Sequence, residues 1–160
     1  MKLKTAEIAD LTMEININAT PERVWTALTS DIGQWWPADF FAGGEAGKRT
    51  YLLEAEPGGR MYEQWEGGGG VLWGNVIAVD PTVRLQVLGS LFPNWGGPSL
   101  WFATWDLAAS GDGTVVTFSE SAIGKVSTGG AEEKTAGWEF LWACMKAHIE
   151  GLPEPAWGDL

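Results

Sequence analysis

Residues 13–30 read Met13-Glu14-Ile15-Asn16-Ile17-Asn18-Ala19-Thr20-Pro21-Glu22-Arg23-Val24-Trp25-Thr26-Ala27-Leu28-Thr29-Ser30, and the change of period inside them decides the fold. From 13 to 18 apolar and polar residues alternate, the pattern of a strand with one buried face. The period then lengthens at a helix start: Thr20 can cap, Pro21 suits the first helical position, and Glu22 complements the positive helix end. Val24, Trp25 and Leu28 recur at helical spacing, which predicts a short helix over 21–30. Residues 32–36 form a second helical turn, halted by Pro37.

Working outward, period two returns after Lys48, and strands are expected at 48–55, 60–65, 71–80, 84–89, 99–108 and 114–123. Their links are short: Pro57-Gly58-Gly59, the glycine run 67–70, Asp80-Pro81 and Ser110-Gly111-Asp112-Gly113. Links this short imply antiparallel neighbours. Residues 93–98 form a loop able to cover one end of the sheet. The last element is a long helix over 131–150, ended by Gly151 and Pro153. Thr135, Glu139, Ala143, Lys146 and Glu150 fall on one face of it. Gly137, Leu141, Cys144, Met145, His148 and Leu152 fall on the opposite face, flanked by Trp138, Phe140 and Ile149. Gly137 marks a place where a sheet could approach closely.

The chain shows no repeat and no linker, so one domain over 1–160 with its core in about 12–152 is expected. Its class is α+β: a curved, seven-stranded antiparallel sheet wrapped around a long C-terminal helix, with one or two short helices after strand 1. Sheet and helix diverge toward one end, and the gap is a natural pocket. Eleven tryptophans in 160 residues suit such a place. Indole is bulky and carries an N–H that wants a partner, so it lines cavities and contact surfaces more readily than it fills space.

The formal net charge of −11 argues against a nucleic-acid partner, whose phosphates require cationic side chains. No apolar run resembles a signal peptide or a membrane span, so no membrane insertion and a cytoplasmic location are expected. The single cysteine, Cys144, excludes an internal disulfide. Asn18-Ala19-Thr20 matches a glycosylation pattern, and without a secretory signal it reads as coincidence.

Several strings together resemble the START-like, Bet v 1-like (SRPBCC) superfamily, the helix-grip fold, and within it the heat-shock protein 90 ATPase activator homologue type. They are Ala19-Thr20-Pro21-Glu22-Arg23-Val24-Trp25 with Ala27-Leu28-Thr29, then Trp35-Trp36, Leu53-Glu54, Gly58-Gly59-Arg60 and Tyr62-Glu63. Trp73-Gly74 with Val76, Asp80-Pro81 with Arg84-Leu85, Gly113-Thr114, Gly137-Trp138 with Leu141, and Lys146-Ala147-His148 complete the series. The resemblance implies a groove that holds lipids, hormones, polyketides or partner proteins in different members, so it leaves the activity open.

Strand alternation places Trp101, Ala103, Trp105 and Leu107 on one face, with Val116, Phe118 and Glu120 on that of the next strand. Met61, Glu63 and Trp65 share a face as well. Glu120 and Glu63 therefore enter an aromatic environment, where burial penalises the charged form of a carboxyl. Each can orient a polar ligand atom or serve as acid or base in a cyclase-like reaction. Alternatively each sits at the rim, or pairs with Arg60, Arg49 or an indole N–H; for catalysis that alternative is favoured. Cys144 and His148, four apart on one helix face, are two metal ligands at most, in a chain with one His and one Cys. No metal and no cofactor are therefore expected, and neither a ring-hydroxylase iron site nor a Cys–His nucleophile is favoured. Glu66-Gly67-Gly68-Gly69-Gly70 lacks the ending of a phosphate loop and precedes a strand, so it reads as a hairpin turn. Trp35, Trp36, Pro37, Phe40 and Phe41 form either a gate over a ligand or a hydrophobic cover on the open end of the core.

The resulting expectation is a groove that binds a small hydrophobic or aromatic molecule without a clear catalytic centre. Its lining is assigned to Trp36, Tyr51, Met61, Glu63, Trp73 and Trp101, together with Trp105, Phe118, Glu120, Phe140, Leu141 and Cys144. Two alternatives stay open: a polyketide cyclase/aromatase-like enzyme using a pocket carboxylate or His148, and a co-chaperone-like interaction module with a chaperone partner or a homodimer contact.

Overall fold

The computed structural model describes residues 3–126 and 128–158, so the ends of the domain expected over 1–160 lie outside the described residues. Strand β1 (Glu7–Ile17) leads into helix α1 (Pro21–Leu28) and the single turn α2 (Ile32–Trp35). Thr20 occupies the N-cap of α1 with Pro21 behind it. Six strands follow: β2 (Arg49–Leu53), β3 (Arg60–Trp65), β4 (Gly70–Asp80), β5 (Arg84–Leu91), β6 (Ser99–Ser110) and β7 (Gly113–Gly124). Helix α3 (Thr128–Glu150) closes the fold.

All strand pairs are antiparallel, in the order β1-β7-β6-β5-β4-β3-β2. Six strands run as successive neighbours because their links are short, the longest being residues 92–98 between β5 and β6. β1 alone crosses over, and its partner is β7. That pairing draws β1 out to Glu7, six residues before the expected start, because β7 supplies a partner from Ile17↔Thr114 to Glu7↔Gly124.

The inner face of the sheet packs on α3, and α1 and α2 pack on α3 from the side. Enclosure from both directions explains why α3 is buried over more than one stripe: Phe140, Leu141, Trp142, Cys144, Met145 and Ala147 are all inaccessible. Trp142 and Ala147 therefore join the core although they lie outside the expected apolar face, whereas Leu152 is exposed. Gly137 meets no strand. A Cβ there would stand 3.6 Å from the Phe40 ring, so the close approach expected of the sheet is made by an aromatic side chain.

Two irregularities in β4 shape the interior. Met61 pairs with Gly74 and Tyr62 with Leu72, which leaves Trp73 as an extra residue. A bulge of this kind re-aims one side chain. Between Val76 and Ala78 the register against β5 shifts again.

Candidate functional site

Between the inner face of the sheet and the first half of α3 lies an open cavity of 590 Å³. Its origin is a row of small residues. Across the sheet, Ala9 pairs with Ala122, Ala122 with Trp101, Trp101 with Gly89, Gly89 with Gly74, and Gly74 with Met61. A Cβ on Gly89 would fall 2.1 Å from Trp101 Cζ2, so the indole lies directly over that glycine. Trp101 is thus laid against the sheet, and the space above it stays empty.

Of the assigned lining residues, Trp36, Tyr51, Met61, Trp73, Trp101, Glu120 and Leu141 stand on the cavity wall. Trp36 stacks on Tyr51 with ring centroids 3.7 Å apart, and Phe41 meets Tyr51 edge-on. Burial, followed by the nearby Glu63 carboxylate, pushes the Tyr51 phenol well above its ordinary range. Of the aromatic cluster before the glycine loop, Trp36 and Phe40 line the cavity, whereas Trp35 is buried and donates to the Ala27 carbonyl at 2.7 Å. Arg49 lies over the Phe41 ring at 4.5 Å and donates to the carbonyls of Gly43 and Ala38, which ties the glycine loop to β2.

Glu63, Trp105, Phe118, Phe140 and Cys144 do not stand on the wall. Glu63 is fully buried and saturated with donors. Both its oxygens accept from the Ala42 N–H, at 2.9 and 3.1 Å, Oε2 accepts from Trp65 Nε1 at 3.0 Å, and Oε1 from Trp73 Nε1 at 2.9 Å. The bulge at Trp73 makes the last of these. Charge-assisted bonds to a fixed carboxylate are stronger than neutral ones, so Glu63 locks the loop before β2 onto β3 and β4. Trp105 and Phe118 are packed beneath the cavity with Trp138 and Trp142, at centroid separations of 4.5–6.2 Å. Phe140 faces the other way, toward Phe40 and Trp157. Cys144 is buried; desolvation, with a smaller contribution from Glu154, pushes its thiol up to about 11. A thiol held protonated is a poor nucleophile. His148 is off the cavity wall, with Nε2 3.8 Å from Asp31 and no hydrogen-bond partner among the described residues.

The wall holds groups that strand alternation does not find. Glu120 pairs with Lys134 and accepts from Trp138 Nε1 at 2.9 Å. Lys134, Trp138 and Leu141 recur at helical spacing along one side of α3, a signal present in the sequence and obscured by the neighbouring Thr135 and Glu139. Trp95 reaches the wall from the loop before β6, set edge-on to Trp73 at 5.8 Å. Of the eleven tryptophans, five line the cavity: Trp36, Trp73, Trp95, Trp101 and Trp138. Trp65 is instead packed against Gly43, Gly44 and Gly69. Among the described residues no helix is long and apolar enough to cross a membrane.

Residues 18–150 match the family described as Activator of Hsp90 ATPase homolog 1-like protein. No curated protein matches the chain. Solved structures similar to it include an uncharacterized protein from Rhizobium leguminosarum, 23% identical over 94% of this chain and 99% of that one, with a TM-score of 0.69. Ara h 8.0201 is 11% identical, with a TM-score of 0.66 over 91% of this chain and 99% of its own. The Aha1 dimer from Colwellia psychrerythraea is 22% identical, with a TM-score of 0.59 over 89% and 96% of the two chains. At these identities the solved structures establish the common fold. The family match, which spans most of the sequence, places this chain in the Activator of Hsp90 ATPase homolog 1-like family.

Proposed function

We propose that this member of the Activator of Hsp90 ATPase homolog 1-like family binds one small, mainly apolar molecule with aromatic character between α3 and the sheet. The observation that carries the reading is the cavity itself: 590 Å³ walled by indole, phenol and aliphatic groups. Ligand sites of this kind span about 300–1,000 Å³. Space of this size is kept open at a cost, since an interior otherwise packs like an organic crystal. Binding rather than turnover fits the chemistry on the wall, because the Glu120 carboxylate is held by Lys134 and Trp138 and His148 stands elsewhere.

The test is a titration of aromatic and fatty ligands, followed by tryptophan emission and by native mass spectrometry. A saturable response is expected, and Ala122→Phe, which fills the space above the small-residue row, abolishes it while circular dichroism stays unchanged. Silence across a varied panel defeats the reading.

A second reading, self-association, rests on a different surface. On the outer face of the sheet Ile8 pairs with Ile123, Ile123 with Leu100, and Leu88 with Phe102, and all five are exposed. Contiguous exposed apolar surface marks an interaction site. The Colwellia relative is itself described as a dimer. Light scattering over a range of concentrations, with Leu100→Glu as the disrupting variant, decides it; a monomer at high concentration removes this reading and leaves the cavity untouched.

A further inference from the structure

The cavity reading becomes chemically specific when the polar atoms on its wall are sorted into those with partners and those without. Tyr51 is 2% exposed and Trp101 is 6% exposed, and both line the open cavity. Among the described residues no hydrogen bond ends on the Tyr51 hydroxyl or the Trp101 indole N–H, and neither atom is fully buried, unlike the partnerless Nε1 atoms of Trp105 and Trp142 beneath, so both face the water-accessible space of the cavity. In the free protein water can meet such donors, and a ligand that displaces it without accepting their hydrogen bonds loses affinity. Three of the other four indole donors on the wall show the contrast, with Trp73 bonded to Glu63, Trp138 to Glu120 and Trp36 to the Phe40 carbonyl, while the fourth, Trp95, is exposed.

Charge narrows the class. The buried carboxylates of Glu63 and Glu120 lie at the two sides of this interior, and Lys134, the cation on the α3 side, is neutralised by Glu120. Lys125 is at the exposed rim. Among the described residues Lys125 at that rim is the one cation on the wall without a carboxylate partner, whereas the Glu63 charge beside Tyr51 has no counter-charge, so an anionic ligand seated against Tyr51 is opposed. The Tyr51 phenol stays protonated beside Glu63 and so remains a donor. Indole N–H is a donor only.

Resting on the binding reading, we infer that the cavity selects a neutral aromatic or alicyclic molecule bearing a carbonyl oxygen, which accepts from the Tyr51 hydroxyl, with the Trp101 N–H as a second donor. A hydrocarbon of the same shape fills the volume and leaves both donors dry. A carboxylate satisfies the donors and is opposed by the charge.

Three naphthalene probes of matched size separate these cases: 2-acetylnaphthalene, 2-ethylnaphthalene and 2-naphthoate, titrated calorimetrically into the wild-type protein, Tyr51→Phe and Trp101→Phe. The ketone is expected to bind about tenfold more tightly than the hydrocarbon, the weight of one net hydrogen bond, and the carboxylate most weakly. Tyr51→Phe should remove the advantage of the ketone by weakening it and by sparing or tightening 2-ethylnaphthalene, which no longer leaves that donor dry, with circular dichroism reporting that the variant is folded. Trp101→Phe should narrow the same ratio by a smaller factor. In the wild type the infrared carbonyl stretch of bound 2-acetylnaphthalene should lie below its value in hexane, a readout that requires no variant. Tightest binding of 2-naphthoate, equal affinities for ketone and hydrocarbon, an unshifted carbonyl stretch, or an equal loss of both neutral probes in Tyr51→Phe each overturns the inference while the cavity reading stands. Absence of binding by all three probes overturns the cavity reading as well.

Discussion

Strands β6 and β7 run through two interiors of opposite character. At one end Trp105 and Phe118, paired across the two strands, are in ring contact with Trp138 and Trp142 and are fully buried. Four residues along, the pair Trp101 and Ala122 faces the cavity. Tryptophan is present at both ends, so its abundance does not create the void. The neighbours do: Leu85 and Leu107 fill the packed end, whereas Gly89, Gly74 and Ala122 leave the other end unfilled. What makes a pocket in this sheet is the absence of side chains at the right register positions, with Trp101 laid flat over one of them.

Substitutions at the two ends break or sharpen that contrast. The largest effect is expected from Phe118→Ala in the packed end, about 3–5 kcal/mol, the usual cost of emptying a fully buried aromatic site. Leu141→Ala, whose side chain already borders empty space, should cost less than half of that, and thermal melts of the two variants measure the ratio. Equal losses would mean that the two ends are packed alike. Gly89→Ala comes next: its Cβ would stand 2.1 Å from Trp101 and 2.4 Å from the Trp73 carbonyl. A loss of about 1–3 kcal/mol is expected, with Trp101 lifted into the cavity and an altered indole emission. An unchanged spectrum counts against the account of how the void is kept open.

Glu120→Gln tests the polar end of the wall. It leaves Lys134, about a quarter exposed, without its counter-charge, and a loss of about 1–3 kcal/mol is expected, between the values for surface and buried pairs. Chemical denaturation reads it, and the double variant with Lys134→Met should recover part of the loss. Tyr51→Phe has the smallest effect at neutral pH and a visible one in alkali. The phenol is held neutral in the folded protein and titrates above its ordinary value. Its contribution is therefore intact below about pH 10 and is lost as the pH rises toward the folded value. Melting temperatures across that range should fall less steeply in Tyr51→Phe than in the wild type; parallel curves would show that Tyr51 does not titrate with unfolding.

The elements were legible because their punctuation is local. Thr20-Pro21-Glu22 starts α1, glycine turns separate the strands, and β3 runs over 60–65 as its alternation predicts. Alternation also carried Trp101, Glu120 and Met61 to the cavity wall, since parity along a strand sets which face a side chain takes. It failed for Glu63, whose inward direction is right but whose carboxylate is turned away by donors from Ala42, Trp65 and Trp73. Trp73 is a bulge residue, and bulges leave no mark in a period-two pattern. Trp105 and Phe118 share a face with the wall residues and lie too far along their strands to reach the space.

By itself the sequence determined the order of elements, the antiparallel neighbours and the inward faces, since each follows from residues within a few positions of one another. Register, the crossover of β1 to β7, and the meeting of Lys134 and Trp138 with Glu120 belong to the tertiary structure. So does the cavity, because an empty volume arises only where small residues from four strands fall into one row beneath a helix, and no stretch of chain carries that information alone.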